Sequence, residues 1–292
     1  MISAFIPSPP FNGIHIFGLS FHVYGIMYVL AVTAAILISR HEWERVGGDR
    51  ELIYEAARWG FPAGLIGGRI YFLITTPSQV PPHWWGPFAV WDGGLGIWGG
   101  IAGGVAVGIW RLRRQMDWRG VKQFLNVCAS CLPAAQAIGR IGNYFNQELY
   151  GKPSTLPWAV RINVEQNPPD SHFKGALDYV GAGHVYATFQ PSFLYEMIWD
   201  LALAAFLIWL GRKRVVRAPG LFALYVAGYC VYRIFEETIR IDYSQYILGM
   251  RLNFWVAGIG TVAGIAWFAW IQWGPGAKAA SAANETPTTV AR

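Results

Sequence analysis

The chain has 292 residues, of which 54% are hydrophobic and 14% are charged, and it contains 34 Gly and 15 Trp. Soluble domains carry about 25% charged residues, so this composition excludes an ordinary soluble protein. The net charge of +6 lies in short loops between apolar segments, a placement that argues against a nucleic-acid partner. Abundant Gly, Trp and Tyr are typical of helices that cross a bilayer. We predict an all-α polytopic membrane protein.

Residues 1–20 contain several Pro and Gly residues but no Lys or Arg, so they lack the basic start of a cleaved signal peptide. We expect them to form an ordered pre-helix on the outer face. Apolar segments follow, each close to the length that about 30 Å of hydrocarbon requires. These seven predicted transmembrane helices are 21–40, 55–76, 92–110, 121–142, 191–210, 219–239 and 252–273.

Basic residues fall mainly on one side of these segments. Twelve Lys and Arg residues lie in loops 40–51, 111–122 and 212–217. The opposite short segments, 1–20, 77–90 and 240–251, hold only Arg240 and Arg251. Because cytoplasmic loops carry the excess of Lys and Arg, the N-terminus is predicted outside and the C-terminus in the cytoplasm.

The one long loop, 144–189, falls on the outer side. It is rich in Pro and Gly, so we expect turns and a small extracytoplasmic cap. Residues 1–273 are predicted to form a single membrane-embedded catalytic domain, and 274–292 a disordered cytoplasmic tail. The three cysteines all lie in apolar segments and, without a second ligand pair, are predicted to be small packing residues rather than a zinc site: Cys128, Cys131 and Cys230.

Polar residues interrupt the apolar pattern at Gly139–Gly151, which contains Arg140, Asn143 and Glu148. An ionisable group held near hydrocarbon is costly and indicates a functional site. On a helix, Arg140 and Asn143 share a face, and the planar guanidinium suits a phosphate. We therefore predict an anion-binding cavity lined by this segment.

A second polar stripe lies on the sixth segment, where Tyr229, Arg233 and Glu237 follow at successive i,i+4 steps and Arg240 comes next. Two interpretations are open. Arg233 and Glu237 form a structural ion pair, or Arg233 is a second cation that faces the cavity of Arg140 and is oriented by Glu237. Glu196, also inside an apolar segment, indicates a polar partner within the bundle.

The run Arg140-Ile-Gly-Asn143-Tyr-Phe-Asn146-Gln-Glu148-Leu-Tyr-Gly151 resembles the motif of prolipoprotein diacylglyceryl transferases. These bacterial inner-membrane enzymes transfer the diacylglyceryl group of phosphatidylglycerol to the lipobox cysteine of a prolipoprotein. The resemblance implies multi-pass residence in that membrane and no cofactor or metal. It implies that Arg140 and Arg233 stabilise the departing phosphate, and it assigns catalytic roles to Arg140, Arg233, Glu237, Tyr24 and Glu148.

The same resemblance extends to substrate binding. The residues that it implies are Arg140, Asn143, Asn146, Gly151, Arg69, Tyr229, Arg240, Trp98 and Glu196. Arg69, in Gly67-Gly68-Arg69, is open to two interpretations, because it either binds a phosphate or ties helix ends together.

Two positions depart from the family pattern. Trp98 stands where many members have a histidine that is proposed as the general base, and Gln190 stands where the family often has a histidine before Pro191. Since an indole cannot accept a proton, Trp98 is not the base. The remaining candidates for the proton acceptor are Glu148, Glu237 and Tyr24.

The residues alone leave one alternative class, a transporter or channel for an anionic solute or lipid, with Arg69, Arg140 and Arg233 lining its path. The lack of an internal repeat and the position of the polar segment near one end of the bundle count against it. Release of the lipid product and thioether formation would distinguish the two functions.

Overall fold

The computed structural model describes residues 5–16, 19–90, 94–167, 179–181 and 183–275. Its first elements are the antiparallel strands β1 (Gly13–Ile16) and β2 (Leu19–His22), and helix α1 (Val23–Glu44) follows directly. The pre-helix expected for residues 1–20 is therefore wrong for residues 13–16 and 19–20, which are strands, and the first predicted helix begins at Val23 rather than at residue 21. Apolar and polar residues alternate in this segment, as in Ile14-His15-Ile16, with the two-residue period of a strand.

Helices α2 (Glu51–Thr75) and α3 (Ile97–Leu112) pack closely along glycine faces. A Cβ atom added at Gly103 would lie 2.7 Å from the carbonyl oxygen of Ala63 and 3.3 Å from the Cα of Gly67. Any larger residue there would push the two backbones apart. Two short 3₁₀ turns, Pro77–Gln79 and Gly86–Phe88, lie in the connection between these helices.

The predicted segment 121–142 is two helices rather than one, α4 (Trp118–Cys128) and α5 (Cys131–Asn146). The break has a local cause. Pro133 has no N–H to bond to the carbonyl of Ala129, and its ring would clash with that carbonyl in a continuous helix. Proline is tolerated in a first turn, so α5 begins afresh just before it.

The long loop contains a three-stranded antiparallel sheet, so the prediction of an all-α protein with a merely turn-rich loop is wrong there. Strands β3 (Val160–Asn163) and β4 (Tyr179–Gly181) flank β5 (His184–Phe189). Val160 pairs with Phe189, and both side chains are fully buried. The β-branched and aromatic residues of these strands favour the pleated conformation. Their hydrophobic core consists of Tyr150, Val160, Ile162, Ala187, Phe189, Phe193 and Ile241.

The remaining elements are α6 (Ser192–Lys213), α7 (Gly220–Ile239), the short hairpin β6 (Tyr246–Ile247) and β7 (Met250–Arg251), and α8 (Leu252–Trp273). Among the described residues, three helices are long and apolar enough to cross a membrane, namely α1, α6 and α8. The protein is thus mostly helical and membrane-embedded. The predicted tail lies outside the described residues beyond Pro275.

Two compact units divide the chain. One comprises 1–35, 125–243 and 253–292, and the other comprises 36–124 and 244–252. In the first unit, Cys131 and Cys230 are buried among apolar neighbours, as predicted for packing residues. The polar segment around Arg140, the sheet and helices α5, α6 and α7 all belong to this first unit.

Candidate active site

Two guanidinium groups from separate helices meet at one buried carboxylate. Nη2 of Arg140, on α5, lies 2.6 Å from Oε1 of Glu196, on α6. Nη1 of Arg233, on α7, lies 3.7 Å from Oε2 of the same glutamate. Glu196 is 0% exposed. The two arginines predicted to lie near each other thus meet at one carboxylate, and Glu196 has polar partners inside the bundle.

The motif after Arg140 forms a chain of hydrogen bonds. Nη1 of Arg140 donates to Oδ1 of Asn143 at 3.2 Å, and Nδ2 of Asn143 donates to Oε1 of Glu148 at 2.9 Å. Asn146 donates to the same Glu148 oxygen at 3.3 Å. The chain turns back here because Gln147 has a left-handed conformation with φ of 54°. The spacing of the motif therefore places Glu148 over the last turn of α5.

Tyr24 lies against this helix because Gly142 has no side chain. A Cβ atom at Gly142 would lie 2.6 Å from Cδ2 and 3.2 Å from Cα of Tyr24. Tyr24 is 40% exposed, so the ring contacts the site but also reaches its outside. The structure thus brings Tyr24 next to the motif, as the resemblance implied.

The polar stripe of α7 is buried at Tyr229, Arg233 and Glu237. The Tyr229 hydroxyl donates to Oε1 of Glu196 at 3.4 Å. Arg233 forms ion pairs with Glu236 and Glu237 on its own helix. Arg233 is therefore both a partner of Glu237 and a cation facing the Arg140 site, and the two interpretations of this stripe are compatible.

Arg240 turns away from that stripe after α7 ends. Its Nε and Nη2 donate to the two oxygens of Asp242 at 2.6 and 2.8 Å. Burial alone would lower the pKa of Arg240, but the carboxylate of Asp242 raises it above its ordinary value. The backbone of Arg240 bridges that of Gly151, whose N–H donates to the carbonyl of Gln190 at 2.8 Å. This junction holds the ends of α5 and α7 and the start of α6 together.

Comparison with known proteins identifies the family. Residues 12–270 match the family described as prolipoprotein diacylglyceryl transferase. The chain belongs to the prolipoprotein diacylglyceryl transferase family. The resemblance of the Arg140–Gly151 motif to this family is therefore confirmed.

Three relatives are named phosphatidylglycerol--prolipoprotein diacylglyceryl transferase. The one from Mycolicibacterium paratuberculosis is 41% identical over 258 residues, 86% of this chain and 59% of the relative. The one from Mycobacterium avium is 41% identical over 86% of this chain and 57% of the relative. The one from Bifidobacterium adolescentis is 38% identical over 88% of this chain and 77% of the relative. The chain thus spans less than two thirds of the two mycobacterial relatives.

In this member of the diacylglyceryl transferase family, the site also contains two carboxylates that the sequence analysis did not predict. Glu236 forms an ion pair with Arg233 and is 1% exposed. Asp200, one helical turn after Glu196, is 0% exposed, and neither of its carboxylate oxygens has a hydrogen-bond partner among the described residues. The signal was present, because an acidic residue four positions from Glu196 in an apolar helix shares its face.

Arg69 and Trp98 belong to the second unit. Arg69 donates from Nε to the carbonyl of Pro87 at 2.9 Å and from Nη1 to that of Gly94 at 3.0 Å, and Nη2 donates to that of Gly86 at 2.6 Å. These three hydrogen bonds to backbone carbonyls agree with the second interpretation of Arg69, in which it ties helix ends together. Trp98 is half-buried on the first turn of α3.

The charges of the site determine what it can do. Two guanidiniums, of Arg140 and Arg233, face the carboxyl groups of Glu196, Asp200, Glu236 and Glu237. Within the described ranges, no group of three or more His, Cys, Asp or Glu side chains is placed to hold a metal ion. The arrangement offers cations and proton acceptors, which suit a reaction in which an anionic group departs.

Proposed function

We propose that this protein transfers the diacylglyceryl group of phosphatidylglycerol to the lipobox cysteine thiol of prolipoproteins and releases glycerol phosphate. The observation that carries the proposal is the convergence of Arg140 and Arg233 on one buried carboxylate. Planar guanidinium forks bind carboxylate and phosphate with the same geometry. The names of the relatives give the same donor and acceptor for those proteins.

The reaction needs two things from the protein. The substrate sulfur attacks the terminal glyceryl carbon, a carbon–sulfur bond forms, and the carbon–oxygen bond to phosphate breaks. The departing phosphate keeps the electron pair and is stabilised by Arg140 and Arg233, which already lie close together at Glu196. The thiol, with a pKa of about 8.5, must also lose its proton.

The other residues of the site position these groups. Glu148 holds the amides of Asn143 and Asn146, and Asn143 in turn holds Arg140. We propose that these amides and the Tyr24 hydroxyl bind the phosphatidylglycerol headgroup. Glu237 orients Arg233, and Tyr229 orients Glu196.

Two residues of the first unit, Gly151 and Arg240, are proposed to shape the binding cleft indirectly. Gly151 and Arg240 join the helix ends through their backbone bridge, which leaves a narrow gap where a Cβ atom at Gly151 would lie 3.2 Å from the Cβ of Gln190. Arg69 holds the loop before α3, and Trp98 fills the position where the family has a histidine. Both are proposed to contribute to substrate binding.

We further propose a bacterial inner-membrane location with seven membrane spans, the N-terminus outside and the C-terminus cytoplasmic. The distribution of Lys and Arg supports this orientation. The sheet of the long loop, β3 to β5, is proposed to form a small extracytoplasmic cap. Residues 1–273 would then act as a single catalytic domain, followed by a disordered tail at 274–292.

A transporter for an anionic solute or lipid is the less favoured function. A transport path requires a site that opens to both sides of the membrane. In this protein the guanidiniums of Arg140 and Arg233 are closed onto carboxylates within the bundle.

The proposed function is tested with purified protein, phosphatidylglycerol and a synthetic lipobox peptide. We expect the peptide to gain the mass of one diacylglyceryl group and glycerol phosphate to be released in equal amount. A peptide with serine in place of the cysteine is the matched control and should gain nothing, because a hydroxyl is a far weaker acid than a thiol. Failure of the cysteine peptide to gain this mass would overturn the proposal.

A further inference from the structure

Glu196 occupies the position between two guanidiniums that a substrate phosphate needs. Its two oxygens lie 2.6 Å from Arg140 Nη2 and 3.7 Å from Arg233 Nη1, and the side chain is fully buried. A carboxylate and a phosphate diester each present two anionic oxygens to such forks. The two anions therefore compete for the same donors.

Binding of the phosphate changes the surroundings of Glu196. Once the guanidiniums turn to the phosphate, Glu196 keeps the hydrogen bond from the Tyr229 hydroxyl, at 3.4 Å, and its hydrogen bond with the Glu236 carboxyl, but no cation from Arg140 or Arg233. A buried carboxylate that loses its cations is strongly disfavoured as an ion and takes up a proton. The incoming negative phosphate, now nearby, adds to this tendency.

The other titratable groups around Glu196 do not take the place of the two guanidiniums. The cations near Glu196 are Arg140, Arg233 and Arg240, and the acids are Asp200 and Glu236. The phenols near it are Tyr24, Tyr229 and Tyr232. Asp200 and Glu236 are both acids, so neither can replace a guanidinium that has turned to the phosphate. Arg240 is held by both oxygens of Asp242, so it does not replace the departed partners.

We propose that Glu196 is the proton acceptor for the substrate thiol and that phosphate binding switches it on by taking its guanidinium partners. This inference rests on the proposed function. The thiol proton passes to a Glu196 oxygen, the sulfur forms its bond to the glyceryl carbon, and the carbon–oxygen bond to phosphate breaks with its electron pair on the phosphate. When glycerol phosphate leaves, the guanidiniums return to Glu196, which then releases the proton to water.

The sequence-based candidates for this role lack such a switch. Glu148 keeps its two amide donors, from Asn143 and Asn146, whether or not phosphate is bound. Glu237 is paired with Arg233 one turn away on the same helix. Glu196 forms ion pairs with both Arg140 and Arg233, so it loses more of its cationic partners than Glu237 does when the two guanidiniums turn to the phosphate.

The test compares Glu196→Gln with the wild type on two peptides that differ only in having cysteine or selenocysteine at the lipobox. A selenol is ionised at neutral pH, so it needs no proton acceptor. We expect the variant to lose at least about 100-fold in turnover of the cysteine peptide, the size of a general-base contribution. With the selenocysteine peptide, the turnover of the variant should stay within about tenfold of that of the wild type. The KM of the variant for phosphatidylglycerol should not rise, because an anion that competes with the phosphate has been removed.

Several outcomes separate this inference from its alternatives. Equal losses with both peptides would indicate a purely structural role and overturn it, as would an unchanged rate with cysteine. Arg140→Lys should fail with both peptides, since it acts on the phosphate. Glu44→Gln, which alters an exposed ion pair with Arg40, is the matched control and should change turnover by less than about twofold. A wild type inactive on both peptides would instead overturn the proposed function.

Glu196→Asp covers the case in which Glu196→Gln does not purify as a folded protein. The shorter carboxylate reaches the thiol poorly, so cysteine turnover should fall at least about tenfold while selenocysteine turnover is spared. Parallel loss with both peptides would again contradict the inference.

Discussion

At the scale of single residues, the site is built around guanidiniums whose terminal nitrogens are paired with acceptors inside the protein. Arg140 donates from one nitrogen to Glu196 and from the other to Asn143. Burying a guanidinium without such partners costs several kcal/mol, so these acceptors stabilise the folded site. The shared carboxylate of Glu196 also holds the guanidiniums of Arg140 and Arg233 close together, so a phosphate that takes its place meets both cations.

Arg140→Lys tests the importance of that fork. A lysine keeps the positive charge but cannot donate to two partners in one plane, so we expect turnover to fall roughly 100- to 1000-fold with the protein still folded. Thioether formation on the lipobox peptide gives the rate, and thermal unfolding reports on the fold. Arg40→Lys, in the exposed pair with Glu44, is the matched change and should leave both nearly unaltered. Normal turnover by Arg140→Lys would contradict the role of the fork.

The residues of this site were only partly predictable from the sequence. Arg140, Asn143 and Glu148 stand out because polar groups interrupt an apolar segment at helical spacing. Asp200 was missed although it shares a helix face with Glu196, because the sequence does not reveal which residues of other helices that face meets. The pairing of Arg240 with Asp242 was also missed, since α7 ends between them and helical spacing no longer applies.

At the scale of helices, glycine decides how closely two elements approach at the site. Gly139 and Gly142 share one face of α5, yet they differ in surroundings. A Cβ atom at Gly142 would lie 3.2 Å from the Cα of Tyr24, whereas none of the surrounding atoms comes within 4 Å of one at Gly139. The contact at Gly142 involves backbone of α1, which cannot give way as a flexible side chain would.

Gly142→Ala should therefore destabilise the protein by about 1–3 kcal/mol and reduce turnover, because α1 must shift and carries Tyr24 with it. Gly139→Ala is the matched substitution. It should be neutral or stabilise by about 0.5–1 kcal/mol, since alanine favours a helix where space allows. Thermal unfolding and thioether formation are measured for both. Equal effects of the two substitutions would contradict the close approach of α1 to α5.

Local sequence determined most helices, and the exceptions have physical causes. Hydrophobicity alone joined α4 and α5 into one segment, since Pro133 interrupts the backbone without changing the apolar character. The sheet in the long loop was hidden because its strands have three to six residues and lie among turns. Their pairing, such as Val160 with Phe189, joins residues far apart in sequence, which no local pattern specifies.

At the scale of the whole molecule, the functional charges obscure the membrane topology. Helix α7 has 20 residues, long enough to span a bilayer, but it carries Arg233, Glu236 and Glu237. Helix α5, with 16 residues, is shorter than a full span and carries Arg140. Among the described helices, length and apolar character therefore identify α1, α6 and α8 alone as candidate spans.

Two exposed positions distinguish seven spans from three. With the N-terminus outside, seven spans place Trp84 outside and Val215 in the cytoplasm, whereas spans at α1, α6 and α8 alone reverse both. Their exposures, 83% and 67%, make each suitable for labelling. We therefore propose Trp84→Cys and Val215→Cys in a chain whose three native cysteines are replaced by alanine.

A membrane-impermeant maleimide should label Trp84→Cys in intact bacterial cells. It should label Val215→Cys only after the cells have been permeabilised. This expectation follows from the charges. The loop before α7 carries Arg212, Lys213, Arg214 and Arg217, whereas 77–90 has no Lys or Arg, and moving the basic loop outward would oppose the bias that orients membrane helices. The reversed pattern would mean that the buried charges of α7 do keep it out of the membrane, and the seven-span topology would be wrong.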